Sequence, residues 1–198
     1  MLYFTSDTHF GHGNIIRYCN RPFSTTAEMN EAMIRNWNDV VKAGDEVYHL
    51  GDFAYGRDMT ALAGKLIRKR LNGKIYLVRG NHEKIADNMH GAFEWIRDYA
   101  EIEACDQRIV LFHYGMRTWH HDLRGVWHLF GHSHGGLPPH GKSFDIGQDC
   151  WGFRPLSFDE VKAEMDAREI APNTPGFSCN TCQKFPCTCA DLEVYDAG

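Results

Sequence analysis

Five short apolar runs in this chain each give way to side chains that bind metals or move protons. Residues 2–6 run into Asp7-Thr8-His9, 46–51 into Asp52, and 74–80 into Asn81-His82-Glu83. Residues 108–114 carry His113 near their end, and 127–131 run into His132-Ser133-His134. All five are rich in β-formers and of strand length. In open α/β sheets ligands collect at the carboxyl ends of strands, so five strands ending alike point to one shared site. Residues two apart in extended chain face the same side, so Asp7 with His9, and His132 with His134, each present a pair toward one place. In "YLVRGNHE" the glycine is expected to free the backbone for a turn that delivers Asn81 and His82 side by side.

The segments between these runs read as helices. Thr25 and Glu28 have capping-box spacing, and Met29, Met33, Trp37 and Val40 then recur on one face. Residues 58–70 predict a second helix, with Leu62, Leu66 and Ile67 directed inward and Arg68, Lys69 and Arg70 at its C-terminal end, where cations suit the helix dipole. Ser157 and Glu160 form another capping-box pattern ahead of Val161 and Met165. With a sixth strand at 143–147, this alternation predicts an α/β domain. A chain of 198 residues, 43% hydrophobic, suffices for one core. "APNTPG" marks its end, dividing a domain at 1–170 from a cysteine-rich tail at 171–198 that has too few apolar residues for a core of its own.

Net charge of -5 disfavours long polyanions as partners. No apolar run reaches membrane-spanning length, and "MLYFTSDTHF" lacks the pattern of a secretory signal, so a soluble, cytoplasmic protein without membrane partners is expected. The odd number of cysteines, seven, favours free thiols or a metal over disulfides. Cys19, Cys105 and Cys150 are scattered. Cys179, Cys182, Cys187 and Cys189 form C-x2-C-x4-C-x-C, which either encloses one structural zinc or remains a tail without stable metal.

Carboxylate, imidazole and amide oxygen suit borderline or hard divalent cations, manganese first, with iron or zinc as alternatives. Asp7, His9, Asp52, Asn81, His113, His132 and His134 exceed the needs of one ion. Two ions sharing a carboxylate accommodate them. Each fragment alone reads more readily as a polar turn or a satisfied core histidine than as a metal site; their conjunction, in one order along the strands, is what carries weight.

Through Asp7-x-His9, Gly51-Asp52, Gly80-Asn81-His82-Glu83, His113 and Gly131-His132-x-His134, the sequence resembles the calcineurin-like metallophosphoesterases. That resemblance implies a two-sheet β-sandwich flanked by helices, a four-layer α/β/β/α arrangement, with a binuclear site at one edge. By motif, Asp7, His9, Asp52 and His134 hold one metal and Asp52, Asn81, His113 and His132 the other, with Asp52 as the bridge. Glu83 stands where the family commonly has aspartate. The implied reaction is attack of metal-activated hydroxide on phosphorus, with His82 protonating the leaving oxygen or stabilising charge on it, and Glu83 orienting that imidazole. Small phosphodiesters of cyclic-nucleotide type are the expected substrates, ahead of phosphomonoesters. His12, Asn14, Arg17, Arg117, Trp119, His120, His121 and Arg124 are candidates for the pocket's border. The alternatives are a nuclease using the seven Lys and Arg of residues 57–79 as a phosphate track, and a metal-binding scaffold without catalysis.

Overall fold

The computed structural model describes residues 1–170. The cysteine-rich segment, with the zinc expectation at Cys179, Cys182, Cys187 and Cys189, lies outside the described residues. The chain runs β1 (Leu2–Thr5), α1 (Gly13–Tyr18), α2 (Thr26–Val40), β2 (Glu46–His49), α3 (Ala61–Arg68) and β3 (Lys74–Val78). It continues through β4 (Ile96–Arg97), β5 (Ala100–Ala104), β6 (Gln107–Leu111), β7 (Trp127–Phe130), β8 (Ser143–Asp145), β9 (Leu156–Ser157) and α4 (Phe158–Asp166).

Two sheets form. One has the order β4-β3-β2-β1-β9, parallel except for β9; the other has the order β5-β6-β7-β8, parallel except for β5. The period-two alternation of strands sets the layers. Tyr3, Val47, Ile75 and Leu77 turn to one face and pack with Met29, Met33 and Trp37 of α2. Their neighbours Phe4 and Val78 turn the other way, onto Ile109, Leu111, Leu129 and Phe144 of the second sheet. Val161 and Met165 of α4 join that inter-sheet core. On the second sheet's far face, Trp119 packs with Val110 and Val126, beside a 3-10 turn at Asp122–Arg124. The fold is thus mixed α/β, two sheets flanked by helices, as expected.

Both capping boxes were read correctly as helix starts. Thr25 Oγ1 accepts from Glu28 N, and Ser157 with Glu160 forms the reciprocal pair. Of the three residues expected to face inward on α3, Ile67 packs against the core but Leu62 and Leu66 do not. Leu62 is 68% exposed and Leu66 56%. Gly64 is the buried residue of this helix, and a Cβ there would meet Met89 Sδ at 2.5 Å. The helix lies against its neighbour through a glycine, and close approach on that side turns both leucines to solvent. Arg68, instead of only complementing the dipole, donates to the carbonyls of Leu71, Gly73 and Ala92.

Six strands now stand at the same end of the sandwich, with β1, β2 and β3 from one sheet and β6, β7 and β8 from the other. There the sheets are joined directly, by an isolated parallel bridge between Ser6 and Gly147. Gln148 N donates to Ser6 O at 3.1 Å, and Ser6 Oγ donates to Leu50 O at 2.9 Å.

Candidate metal centre

The residues after those strands leave extended geometry abruptly. Asp7, His9, Asp52, His132 and His134 all have positive φ, at 57°, 49°, 56°, 65° and 47°. A non-glycine residue in that region is uncommon, and such backbone strain, of order 1–3 kcal/mol per residue, persists only where the surroundings enforce it. Backbone bonds do so here: Asp7 N donates to Gly51 O and His9 N to Asp52 O, both at 2.9 Å. Thr8, between the two, donates its hydroxyl to Phe53 O at 2.7 Å.

Gly80 plays a different part from the one its sequence suggests, and Gly131 shares it. Neither has positive φ. A Cβ on Gly80 would collide with the Asp52 carboxylate, and one on Gly131 with Ser6 Oγ and the Asp7 carboxylate. These glycines let backbone pass directly against two acids instead of making a turn. The same packing lets His82 N donate to Asp52 Oδ1, and His132 N to Asp7 Oδ2, each at 2.9 Å.

Two clusters result, Asp7 with His9 and His134, and Asp52 with His113 and His132; in each, one ligand atom per residue lies within 4.8 Å of the others. Asp52 Oδ2 is 3.5 Å from His9 Nε2 and 3.6 Å from His113 Nε2, so its carboxylate stands between the clusters. Asn81 Oδ1 lies 3.1 Å from His113 Nε2. All seven proposed ligands therefore gather in one place.

Lone pairs converge there without enough donors. His113 Nδ1 donates to Leu50 O at 2.7 Å, which leaves Nε2 unprotonated and facing two more acceptors, Asn81 Oδ1 and Asp52 Oδ2. Asp7 Oδ1 and both ring nitrogens of His9 are buried and have no hydrogen-bond partner. Burial pushes the Asp7 carboxyl well above the ordinary carboxylate range, and burial with Arg21 nearby pushes His9 well below the ordinary imidazole value. A buried acid and a neutral imidazole lacking partners are costly unless a cation satisfies both, so the donor set fits divalent metal.

Two contributors carry no motif. Asp149 Oδ2 accepts from His134 Nδ1 at 2.7 Å, which in the neutral ring places the lone pair on Nε2, the nitrogen that a cation would take. Burial disfavours the charged ring of His134, but the bond to Asp149 and the nearby carboxylates outweigh it and raise its pKa. Arg21 holds Asp149 through both carboxylate oxygens, at 2.8 Å each, and donates to the carbonyls of Asp7 and Thr8. Only the histidine of this relay was legible in sequence.

Glu83 departs from its expected role. Its Oε2 accepts from Asp52 N at 2.7 Å and Gly80 N at 2.6 Å, and Oε1 from Phe53 N at 2.9 Å. Both oxygens are committed to backbone, so Glu83 ties two loops together and does not orient His82. His82 itself stands at the rim, its ring 5.6 Å from that of His9 and 4.3 Å from that of Tyr55. Of the border candidates, His12 lies beside His9, ring to ring 5.4 Å. Trp119 is buried on the second sheet's far face with Nε1 donating to Val126 O, and His120 pairs with Glu101. His121 and Arg124 line a separate cleft with Glu103 and Arg108.

Comparison with known proteins identifies relatives of this chain. An uncharacterized protein of Methanocaldococcus jannaschii is 35% identical over 167 residues, covering 81% of this chain and 88% of that one. The crystal structure of a protein of unknown function from Aquifex aeolicus superposes with TM-score 0.67 at 27% identity, over 83% of this chain and 98% of that one. An E. coli phosphoesterase, Yfce, overlaps more loosely, with TM-score 0.41 at 22% identity, over 74% of this chain and 77% of that one. The sequence profile of the calcineurin-like phosphoesterases matches residues 2–151, a span that contains every residue of the two clusters, and the chain belongs to that family.

Proposed function

We propose that this protein hydrolyses small phosphodiesters, of the size of a cyclic nucleotide, with two divalent cations held by Asp7, His9, Asp52, Asn81, His113, His132 and His134, manganese first among the metals. The observation that carries this reading is the Asp52 carboxylate, whose Oδ2 stands within 3.6 Å of imidazole nitrogens from both clusters. Such a cation pair, when bound, supplies Lewis acidity toward phosphate oxygens and a water of lowered pKa. The protein's own part is positioning. Asp52 would be shared between the two cations, Asn81 would offer a neutral oxygen, and Asp149 holds the Nδ1 side of His134. His82, partly exposed at the rim, gives its proton to the departing oxygen. Glu83 fixes the loops that carry Asp52 and His82.

Small substrates are favoured over polynucleotides because three of the seven basic side chains of residues 57–79 already have partners within the protein. Arg68 binds carbonyls, Arg70 pairs with Glu31, and Arg79 pairs with Asp87 and Asp98. No helix among the described residues is long and apolar enough to cross a membrane. The free thiols of Cys19, Cys105 and Cys150 suit a reducing compartment such as the cytoplasm.

The test is hydrolysis of bis-p-nitrophenyl phosphate by metal-stripped protein, with and without manganese, alongside Asn81→Ala. Manganese-dependent release of nitrophenol that the variant loses is expected. A folded protein that binds two cations yet turns over no phosphodiester with any divalent metal would instead be a scaffold.

A further inference from the structure

A cleft of about 690 Å³ opens beside the metal centre, lined by His12, Asn14, Thr26, Tyr55, Arg57 and Asp58 among others. Its volume lies within the range of sites for small organic ligands. It is continuous with the centre through aromatic rings: His9 to His12 is 5.4 Å between centroids, His12 to Tyr55 4.7 Å, and Tyr55 to His82 4.3 Å. A ligand in this cleft would therefore lie next to the proposed proton donor, on the side where the departing oxygen leaves.

The walls are fixed before any ligand arrives. The loops after β1 and β2 run together as far as Gly56, through a parallel bridge between Phe10 and Ala54 and a bond from Tyr55 N to Phe10 O at 3.0 Å. Gly11 N donates to Asn30 Oδ1 at 3.1 Å, and a Cβ on Gly56 would meet Gly11 O at 2.5 Å. Tyr55 is held beside His12 by this packing, yet 42% of it is exposed. His12 is only 9% exposed, and its Nδ1 has no hydrogen-bond partner, so no structural bond accounts for a polar ring there.

We infer that this cleft seats the nucleoside portion of the substrate, with the base against the Tyr55 ring and its polar edge read by Asn14, Arg57 and Asp58. The inference rests on the phosphodiesterase reading and narrows its substrate class. An aromatic face stacks on any base, while an amide, a cation and a carboxylate side by side supply the donors and acceptors that a base edge or ribose requires. A polyol phosphate has no flat face for Tyr55 to cover.

Calorimetric titration of the intact protein with AMP and with glycerol 3-phosphate, each with and without manganese, tests this directly. AMP is expected to bind at least about ten-fold more tightly, the scale of one base–aromatic stack. Tyr55→Ala should erase that preference without weakening glycerol 3-phosphate, and Tyr55→Phe should retain it. In unaltered protein, saturation of aromatic protons should pass to adenine H2 and H8 more strongly than to the ribose protons. Equal affinities, no AMP binding, equal weakening of both ligands by Tyr55→Ala, or stronger transfer to ribose each overturns the inference. Because binding is read without turnover, failure of the hydrolytic reading would appear separately, in the bis-p-nitrophenyl phosphate assay.

Discussion

Asp149 acts through the imidazole it holds, and that dependence can be measured. Asp149→Asn removes the charge that fixes the His134 tautomer, so manganese affinity should fall about 10–100-fold by calorimetry. It also leaves the Arg21 guanidinium, whose side chain is fully buried, without its carboxylate. Thermal or urea denaturation should register a loss of about 3–5 kcal/mol from that unpaired charge. Glu83 belongs to another kind of residue, a buried acid whose partners are all backbone. Glu83→Ala strands the amides of Gly80, Asp52 and Phe53. At about 1–3 kcal/mol for each buried donor left unpaired, it should lower the urea midpoint severely, and Glu83→Gln, which keeps one acceptor oxygen, less so. A shift in the pH–rate profile of Glu83→Gln with unchanged stability would restore the imidazole-orienting role. The seven clustered donors were legible because each follows a recognisable run. Asp149 was not, since its partner Arg21 is 128 residues away in the chain and no local spacing announces the pair.

At the scale of elements, α3 shows how a pattern can be right about the helix and about Ile67 yet wrong about the two leucines beside it. Leu62→Gln and Leu66→Gln are expected to change unfolding free energy by no more than about 0.5 kcal/mol, as exposed positions do. Gly64→Val, forced against Met89, should cost about 1–3 kcal/mol by overpacking. A large loss from either leucine variant in chemical denaturation would mean that the helix packs the other way round. Hydrophobic periodicity weighs side chains by size, and here the contact is made by a residue with none. The same limit explains β4 and β9, which were not expected. Each is a two-residue strand completed by a neighbour's register, Leu77 with Ile96 and Phe4 with Leu156. Two residues carry no period. The longer parallel strands were legible because their apolar runs are bounded by glycine and polar residues.

For the whole molecule, two histidines outside the centre predict acid sensitivity. Burial pushes both His49 and His128 down to about 3. The fold thus refuses a proton that the unfolded chain accepts near 6.5. Their stabilisation is present above pH 6.5 and is lost as pH falls from there toward 3, at up to about 1.4 kcal/mol per pH unit for each. His128→Gln removes one such group, and urea denaturation between pH 7 and 4.5 should show a correspondingly shallower decline than in the native sequence. An identical slope would mean that His128 takes up its proton in the folded state. The centre carries a dependence of another sort. Asp7, His9, Asp52 and Asn81 hang from one sheet, His113, His132 and His134 from the other, and the Ser6–Gly147 bridge lies where the sheets meet. Slippage of one sheet along the other by a single residue, about 3.3 Å, would part the two donor sets by more than the length of a coordination bond. The cluster therefore works like a vernier scale whose marks coincide only when both halves are in register, and cation affinity becomes a direct gauge of how well they have docked.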